Sequence, residues 1–303
     1  MSVNVTTFYV QQYAKIINEL VQQRDSRLRR AVTEQRYEGK AGSPVEQVGA
    51  IAMQPVTTRY QPMGRVDAPT DRRWVYPSDF DLPQLLDSFD QLRLLVDPKS
   101  KFVENAHFAA NRQIDDLIIA AMFGAAKTGE TGQNTTNLPS GQVVSVQQGA
   151  AAPTGLTVAK IREAKRILLA NEAIMYSAAP KLYCVAGSKQ LDNLLAEAQV
   201  VSTDFNSDDG GRPVLKDGII ERFLGVNFIH SERLPTGTDD QSGTSTKVCL
   251  WEESGMHLGL WNDISTDVAQ RKDLQGLPWQ AYIYMTAGAT RLEEKRVVQV
   301  WCR

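Results

Sequence analysis

The residues of this chain best suited to chemistry are three histidines, an aspartate pair, three cysteines, one glycine-lysine segment and one dense charge run. His107, His230 and His257 lie far apart and have no metal-ligand spacing, and no HExxH, CxxC or GxSxG pattern occurs. Asp115 and Asp116 are adjacent, so on a helix they point to different faces and make no paired acid and base. Arg112 stands three and four residues before them, the spacing of a helix salt bridge worth a few tenths of a kcal/mol. Gly124, Lys127, Thr128 and Gly129 have the residue types of a phosphate loop without its GxxxxGK[ST] order, and they follow a helix where a phosphate loop follows a strand. Arg291, Glu293, Glu294, Lys295 and Arg296 read as a solvated or interface-facing strand edge. Cys184, Cys249 and Cys302 are widely spaced and odd in number, which predicts reduced, buried thiols. No catalytic residue, cofactor site or metal site is expected.

Composition narrows the class further. The 303 residues are 42% hydrophobic and 22% charged, enough apolar material for one large domain or two smaller ones. A net charge of −2 supplies no basic field to grip nucleic acid. The opening MSVNVTTFYVQQ has neither the basic nor the apolar region of a secretory signal. The longest apolar run, Leu117 to Ala126, is about half of a membrane span, so no membrane segment is expected and the sequons at Asn4 and Asn134 carry little weight.

With chemistry silent, the elements themselves carry the information. Asp97 to Gly124 reads as one helix of roughly 40 Å. Pro98 suits its first turn, Asp97 or Ser100 can cap it, and Gly124 offers a left-handed end. Phe102, Ala106, Ala109, Ala110, Ile114, Leu117, Ile118 and Ala121 form its buried stripe. Phe8 to Arg30 reads as an amphipathic helix with Tyr9, Tyr13, Ile16, Ile17, Leu20 and Val21 on one face and Arg24, Arg27 and Arg30 following. A polar stretch, Tyr37 to Val45, separates it from the rest, so its apolar face packs either on its own domain or on a neighbouring molecule.

Gln47 to Asp81 reads as a protruding β-hairpin. Val48, Ala50, Ala52, Val56, Thr58 and Tyr60 alternate on one limb, Trp74 and Tyr76 on the other, and a tip containing Met63, Asp71, Arg72 and Arg73 is too polar and Pro-rich for a core. It is either an ordinary surface hairpin or an intermolecular contact, since Tyr, Trp, Met and Arg dominate interface hot spots. After a polar loop with a short strand near Val143 to Val146, the pattern becomes α/β. Helices are expected at Thr157–Asn171 and Ser188–Ala198, strands at Lys181–Ala186 and Gly225–His230, and a Gly-rich loop at Asp208–Gly218. The last third reads as strands at Lys247–Trp251, Met256–Trp261, Ser265–Arg271 and Gln280–Ala287, then one long strand, Ala289–Cys302.

This order of elements resembles the major capsid proteins of tailed bacteriophages, the Hong Kong 97-type fold. The likeness is carried by DPKSKFVENAHFAANRQIDDLIIAAMFG, PKLYCVAGSKQLDNLL, DGIIERFLGVNFIHSERLP and AYIYMTAGATRLEEKRVVQVWC, and spans nearly the whole chain. It implies an α+β fold: an N-terminal arm (1–46), an extended β-hairpin loop (47–81), a peripheral domain with a long spine helix (82–153 and 262–292), and an α/β axial domain (154–261 and 293–303). It implies no enzyme but a subunit that self-assembles, as hexamers and pentamers, into an icosahedral shell around double-stranded phage DNA held non-specifically. The implied setting is the virion capsid, assembled in the host cytoplasm. With only a short arm before the loop, a separate scaffolding protein is expected, together with a portal. The intersubunit candidates are Tyr9, Tyr13, Arg24, Met63, Arg72, Arg73, Trp74 and Tyr76. The alternatives are an encapsulin-type bacterial nanocompartment shell, which shares the fold, and an α/β enzyme with an unrecognised site.

Overall fold

The apolar spacing from Ala106 to Met122 produces the long helix α1 (Lys99–Phe123) in the computed structural model of the chain, which describes residues 22–60, 64–86, 99–174, 181–197 and 220–303. Its buried seam steps by four through Ala106, Ala110, Ile114, Ile118 and Met122, with Asp115 and Ile119 beside it. Leu117, expected in the stripe, is only half-buried. Gly124 ends the helix without a left-handed backbone. It is needed for closeness instead, because a Cβ there would meet the Ala120 carbonyl oxygen at 2.8 Å.

The chain divides into two units. One comprises Met1–Ser26, Asp79–Gln113 and Asn262–Thr286; the other comprises Arg27–Ser78, Ile114–Trp261 and Ala287–Arg303. Contact therefore groups residues 27–46 and 114–153 with the second unit.

The second unit is built on a sheet of β7 (Val143–Val144), β15 (Val297–Cys302), β12 (Thr244–Glu252), β8 (Leu182–Ala186), β10 (Val226–His230) and β9 (Arg222–Phe223) in that order, with β11 (Thr236–Thr238) on β12. β10 runs parallel to β8 while β12 is antiparallel to both β8 and β15. On one face, α2 (Val158–Ala170) lays Ile161, Ala164, Ile167 and Leu168 into a core with Cys184, Val248, Leu250, Val298, Val300 and Cys302. Thr157 caps α2 by accepting the Lys160 N–H, and α3 (Ser188–Leu195) follows β8. Lys160 is fully buried on the inner face of α2, and its Nζ donates to the carbonyls of Thr154, Gly155 and Trp301 at 2.7, 2.9 and 2.8 Å. All three cysteines are free and buried, and burial pushes the Cys302 thiol up to about 12. These are inert packing groups rather than nucleophiles.

Residues 27–42 cross the other parts of this unit as a strap. The Asp115 carboxylate, buried in α1, accepts the backbone N–H groups of Arg27 and Leu28 at 3.1 Å each. Trp251 Nε1 donates to the Ala31 carbonyl at 2.9 Å. β1 (Thr33–Arg36) then pairs in parallel with the start of β13 (Met256–Gln270). These bonds explain why the expected arm helix does not extend here: Arg29–Ala31 form a single 3-10 turn and residues 22–28 are not helical, because their backbone groups find tertiary partners. The remainder of that helix, with Tyr9 and Tyr13, lies outside the described residues, as does the Asp208–Gly218 loop.

A further sheet in this unit joins β2 (Glu46–Val48), β3 (Thr70–Trp74), β5 (Ala126–Thr128) and β6 (Asn134–Thr136). The β5–β6 hairpin stands where a polar loop is expected; its Thr and Asn residues show no apolar alternation. In the first unit, the far portions of β13 and β14 (Trp279–Arg291) and the edge strand β4 (Ser78–Leu86) line up in the order β13-β14-β4. Arg112 and Arg24 are held there: Arg112 donates to Gln22 Oε1 and the Gln23 carbonyl at 2.8 and 3.1 Å, and Arg24 lies over the Phe108 ring. The expected Arg112 ion pair is thus replaced, since Asp116 pairs with Arg233 and Asp115 holds the strap.

The C-terminal strands also differ from expectation. β13 is continuous where two strands are predicted, β14 reaches Arg291, and the long last strand is broken by a 3-10 turn at Glu294–Arg296. The break turns the charge run inward. Arg291 and Glu294 are buried, not a solvated edge. Arg291 Nη1 donates to the carbonyls of Ala121, Met122 and Gly124 at 3.1, 2.9 and 2.5 Å, and Nη2 to Thr136 at 3.2 Å. α1 has no basic residue in its last turn, so this distant guanidinium satisfies its end and opposes its negative dipole.

Two predictions follow from these interior polar groups. Arg291→Met keeps the length but strips the donors, and should lower unfolding free energy by about 3 kcal/mol or more, with partial recovery in Arg291→Lys, both measured by urea denaturation. His257 is buried between Thr33 Oγ1 (3.0 Å to Nδ1) and Tyr37 Oη (2.9 Å to Nε2), and burial lowers its pKa from 6.5 to about 4. The unfolded chain then binds the proton more readily, so this contribution is whole above pH 6.5 and is lost as pH falls toward 4. Stability should drop by about 2 kcal/mol between pH 7.5 and pH 5 on this account. His257→Gln should flatten that part of the urea-midpoint profile.

Candidate assembly surface

Arg73 and Glu294 build the base of the expected loop. β2 and β3 pair antiparallel, with Glu46 opposite Arg72, Gln47 opposite Asp71 and Val48 opposite Thr70. Side chains alternate along a strand, so of two adjacent arginines only one faces outward. Arg72 faces out, pairs with Glu46 and lies 5.7 Å from the Trp74 ring centre. Arg73 turns inward and engages Glu294 with both nitrogens of its fork, 2.8 Å from Nη1 to Oε1 and 2.5 Å from Nη2 to Oε2. Its Nε reaches Gln47 Oε1 at 3.3 Å, and Gln47 Nε2 donates to the Leu292 carbonyl at 2.5 Å. The charge cluster is thus part of strand β3 and not of a tip.

Beyond this base the chain leaves the sheet. Gly49 N–H donates to the Pro69 carbonyl at 2.7 Å, and a Cβ on Gly49 would meet Pro69 Cγ at 2.6 Å, so glycine lets the two limbs close. The alternation predicted for Val48 to Tyr60 does not become a strand; residues 49–60 are irregular. Ile51, Met53, Val56 and Tyr60 are 63%, 102%, 83% and 97% exposed. Tyr60 also has a left-handed backbone, φ +61°, uncommon for an aromatic residue. Four large apolar side chains are thus left open to solvent within one irregular stretch of ten residues. Of these four, the sequence singled out only Val56 and Tyr60, as strand positions. Ile51 and Met53 carried a signal of their own: large apolar residues inside a stretch too rich in Pro and polar residues to form a core.

The other expected contact residues fall in different places. Trp74 Nε1 donates to the Gly129 carbonyl at 2.7 Å, and Tyr76 Oη approaches the Thr131 carbonyl at 3.5 Å. Gly132 lies beneath them, where a Cβ would collide with the Tyr76 hydroxyl and touch Trp74. This aromatic pair therefore rests partly on its own chain, with Tyr76 39% exposed. Arg24 belongs to the first unit, over Phe108. Tyr9, Tyr13 and Met63 lie outside the described residues. The first unit exposes its own apolar group, Val268, Leu274 and Leu277, around the turn between β13 and β14. Among the described residues, no group of His, Cys, Asp and Glu is placed to hold a metal ion, and no helix is long and apolar enough to cross a membrane.

The architecture has close counterparts among solved structures. The capsid of the cyanophage P-SCSP1u superposes with a TM-score of 0.73 at 14% identity, covering 100% of this chain and 95% of that one. The capsid asymmetric unit of cyanophage Pam1 gives 0.73 at 13% identity over 98% and 97% of the two chains. The acid-stable capsid of the Helicobacter pylori bacteriophage KHP30 gives 0.72 at 11% identity over 99% and 97%. The α+β Hong Kong 97-type fold implied by the order of elements is therefore the fold of this chain. No curated protein matches it. Residues 5–303 match the model of the family described as phage capsid protein, and by that match the chain belongs to the phage capsid proteins, as a structural subunit of the virion and not an enzyme.

Proposed function

We propose that this chain is the repeating subunit of a closed icosahedral shell, built from hexamers and pentamers of itself, and that residues 47–81 bind an adjacent copy. The observation that carries this reading is the open display of Ile51, Met53, Val56 and Tyr60 on a loop with a tightly bonded base. Burying one such side chain is worth about 1.5–3 kcal/mol, so four together supply a useful but individually weak contact. Arg72, Trp74 and Tyr76 flank the exit of the loop and form the rim of the same contact. Tyr9, Tyr13, Arg24 and Met63 complete the proposed intersubunit set. In the shell, the first unit is the core of the peripheral domain (82–153 and 262–292), and the sheet of the second carries the axial domain (154–261 and 293–303).

Many such contacts per subunit hold by avidity while each remains weak enough to be corrected. The contents of the shell are double-stranded DNA. With a net charge of −2, the chain encloses that DNA rather than gripping it. A scaffolding protein sets the curvature and a portal occupies one vertex, with assembly in the host cytoplasm.

Replacing Ile51, Met53 and Val56 together with Ser should leave the unassembled subunit within about 0.5 kcal/mol of the parent, since surface changes seldom exceed that. The same variant should form few sedimenting assemblies. Analytical ultracentrifugation with negative-stain microscopy reads both, and normal shells from the triple variant would refute the docking loop.

A further inference from the structure

We infer that Arg73 is a positioning residue for assembly: its buried fork on Glu294, shared with Gln47, fixes the direction in which the exposed loop leaves the body. This rests on the proposed docking of the loop on a second copy, and adds what aims it.

The geometry points to aim rather than to simple cohesion. β2 is only three residues long, and the loop between Val48 and Thr70 has no other regular structure among the described residues. A ladder that short leaves the pivot of the loop free unless side chains lock it. The lock joins both limbs. Gln47 comes from the outgoing limb and Arg73 from the returning one, and they meet each other at 3.3 Å. Both are then tied to one turn of the body: Arg73 to Glu294, and Gln47 to the Leu292 carbonyl. That turn follows directly on Arg291, whose guanidinium holds the end of α1. The direction of the loop is thus referred to the spine helix through Gln47, Arg73, Leu292, Glu294 and Arg291.

A buried pair of this kind is a poor source of stability. Well-packed apolar residues often replace one at no loss to the fold. What apolar residues lack is the planar, two-pronged geometry that fixes an angle. The pair should therefore be dispensable for folding and needed for assembly.

The experiment compares full-length parent, R73M/E294L, R73K and the Ile51, Met53, Val56 triple-Ser variant. The unassembled subunits are checked by urea denaturation and by amide exchange at residues 46–48 and 70–74. Assembly is the fraction of chain that sediments as particles. R73M/E294L should unfold near the parental midpoint, exchange faster at those strands, and yield about tenfold less assembly or worse, the loss expected of a contact weakened by about 1.4 kcal/mol. R73K keeps the charge but not the fork. It should fold, exchange faster at the same amides and assemble only in part, and this arm decides the matter if the double variant does not fold.

Parental assembly by either R73M/E294L or R73K overturns the inference. If the triple-Ser variant assembles normally, the docking reading fails and the positioning role falls with it. If the triple-Ser variant fails to assemble while R73M/E294L succeeds, the docking loop stands and Arg73 is a structural pair alone.

Discussion

One buried cation organises the second unit. Arg291 sits at the end of α1, donates to four backbone carbonyls, and has the Arg73–Glu294 pair nearby. The arrangement is a charge balance with few solutions. Two guanidinium groups face one carboxylate, and the remaining negative potential comes from the carbonyl end of α1, about half an elementary charge. Remove the carboxylate and two cations are left buried. Remove Arg291 and the helix end loses its donors. Burial alone disfavours the charged form of Arg291, lowering its pKa, and Glu294 acts in the opposite sense. Arg73 and Glu294 neutralise each other and can be lost only together, whereas Arg291 is held by the four carbonyls around it.

The distribution of polarity is the reverse of a simple globule at this place. Inside, guanidinium, carboxylate and amide groups meet with defined geometry. Outside, Ile51, Met53 and Val56 stand in water. Such a surface invites non-specific association. The neighbouring sequence moderates that hazard: Gln54, Pro55, Arg59, Pro62, Arg65 and Pro69 interrupt the apolar residues, so no uninterrupted apolar strand is offered to a stray chain. The same prolines explain why the predicted hairpin is only three residues deep at its base.

What could be read in advance follows the same physics. α1, α2, β8, α3 and β10 were legible because each has a plain apolar period, and α2 also begins on a capping Thr157. Lys160 shows where residue type misleads. Position 160 lies four before Ala164 on the buried face, yet a lysine argues for solvent; three carbonyls from Thr154, Gly155 and Trp301 reconcile the two. Arg291 and Glu294 misled in the same way, since their partners lie more than 150 residues away and no local pattern announces them. The β5–β6 hairpin had no apolar code at all. At the candidate surface, an exposed segment outside the core was legible from its Pro and polar content, whereas the inward turn of Arg73 required knowing that Thr70–Trp74 is strand.

A shell subunit faces two demands that conflict. Each contact must be weak, so that a misplaced neighbour can leave, yet the contact must be offered in one direction, or the lattice does not close. Weakness favours a small apolar patch on a loop. Direction favours rigidity, because a loop already held in its binding pose loses less conformational freedom on docking. Placing the apolar residues beyond a short ladder and locking the ladder with an ion pair separates the two demands. In the proposed docking, the patch sets strength and the lock sets angle, so that either can change in sequence without the other.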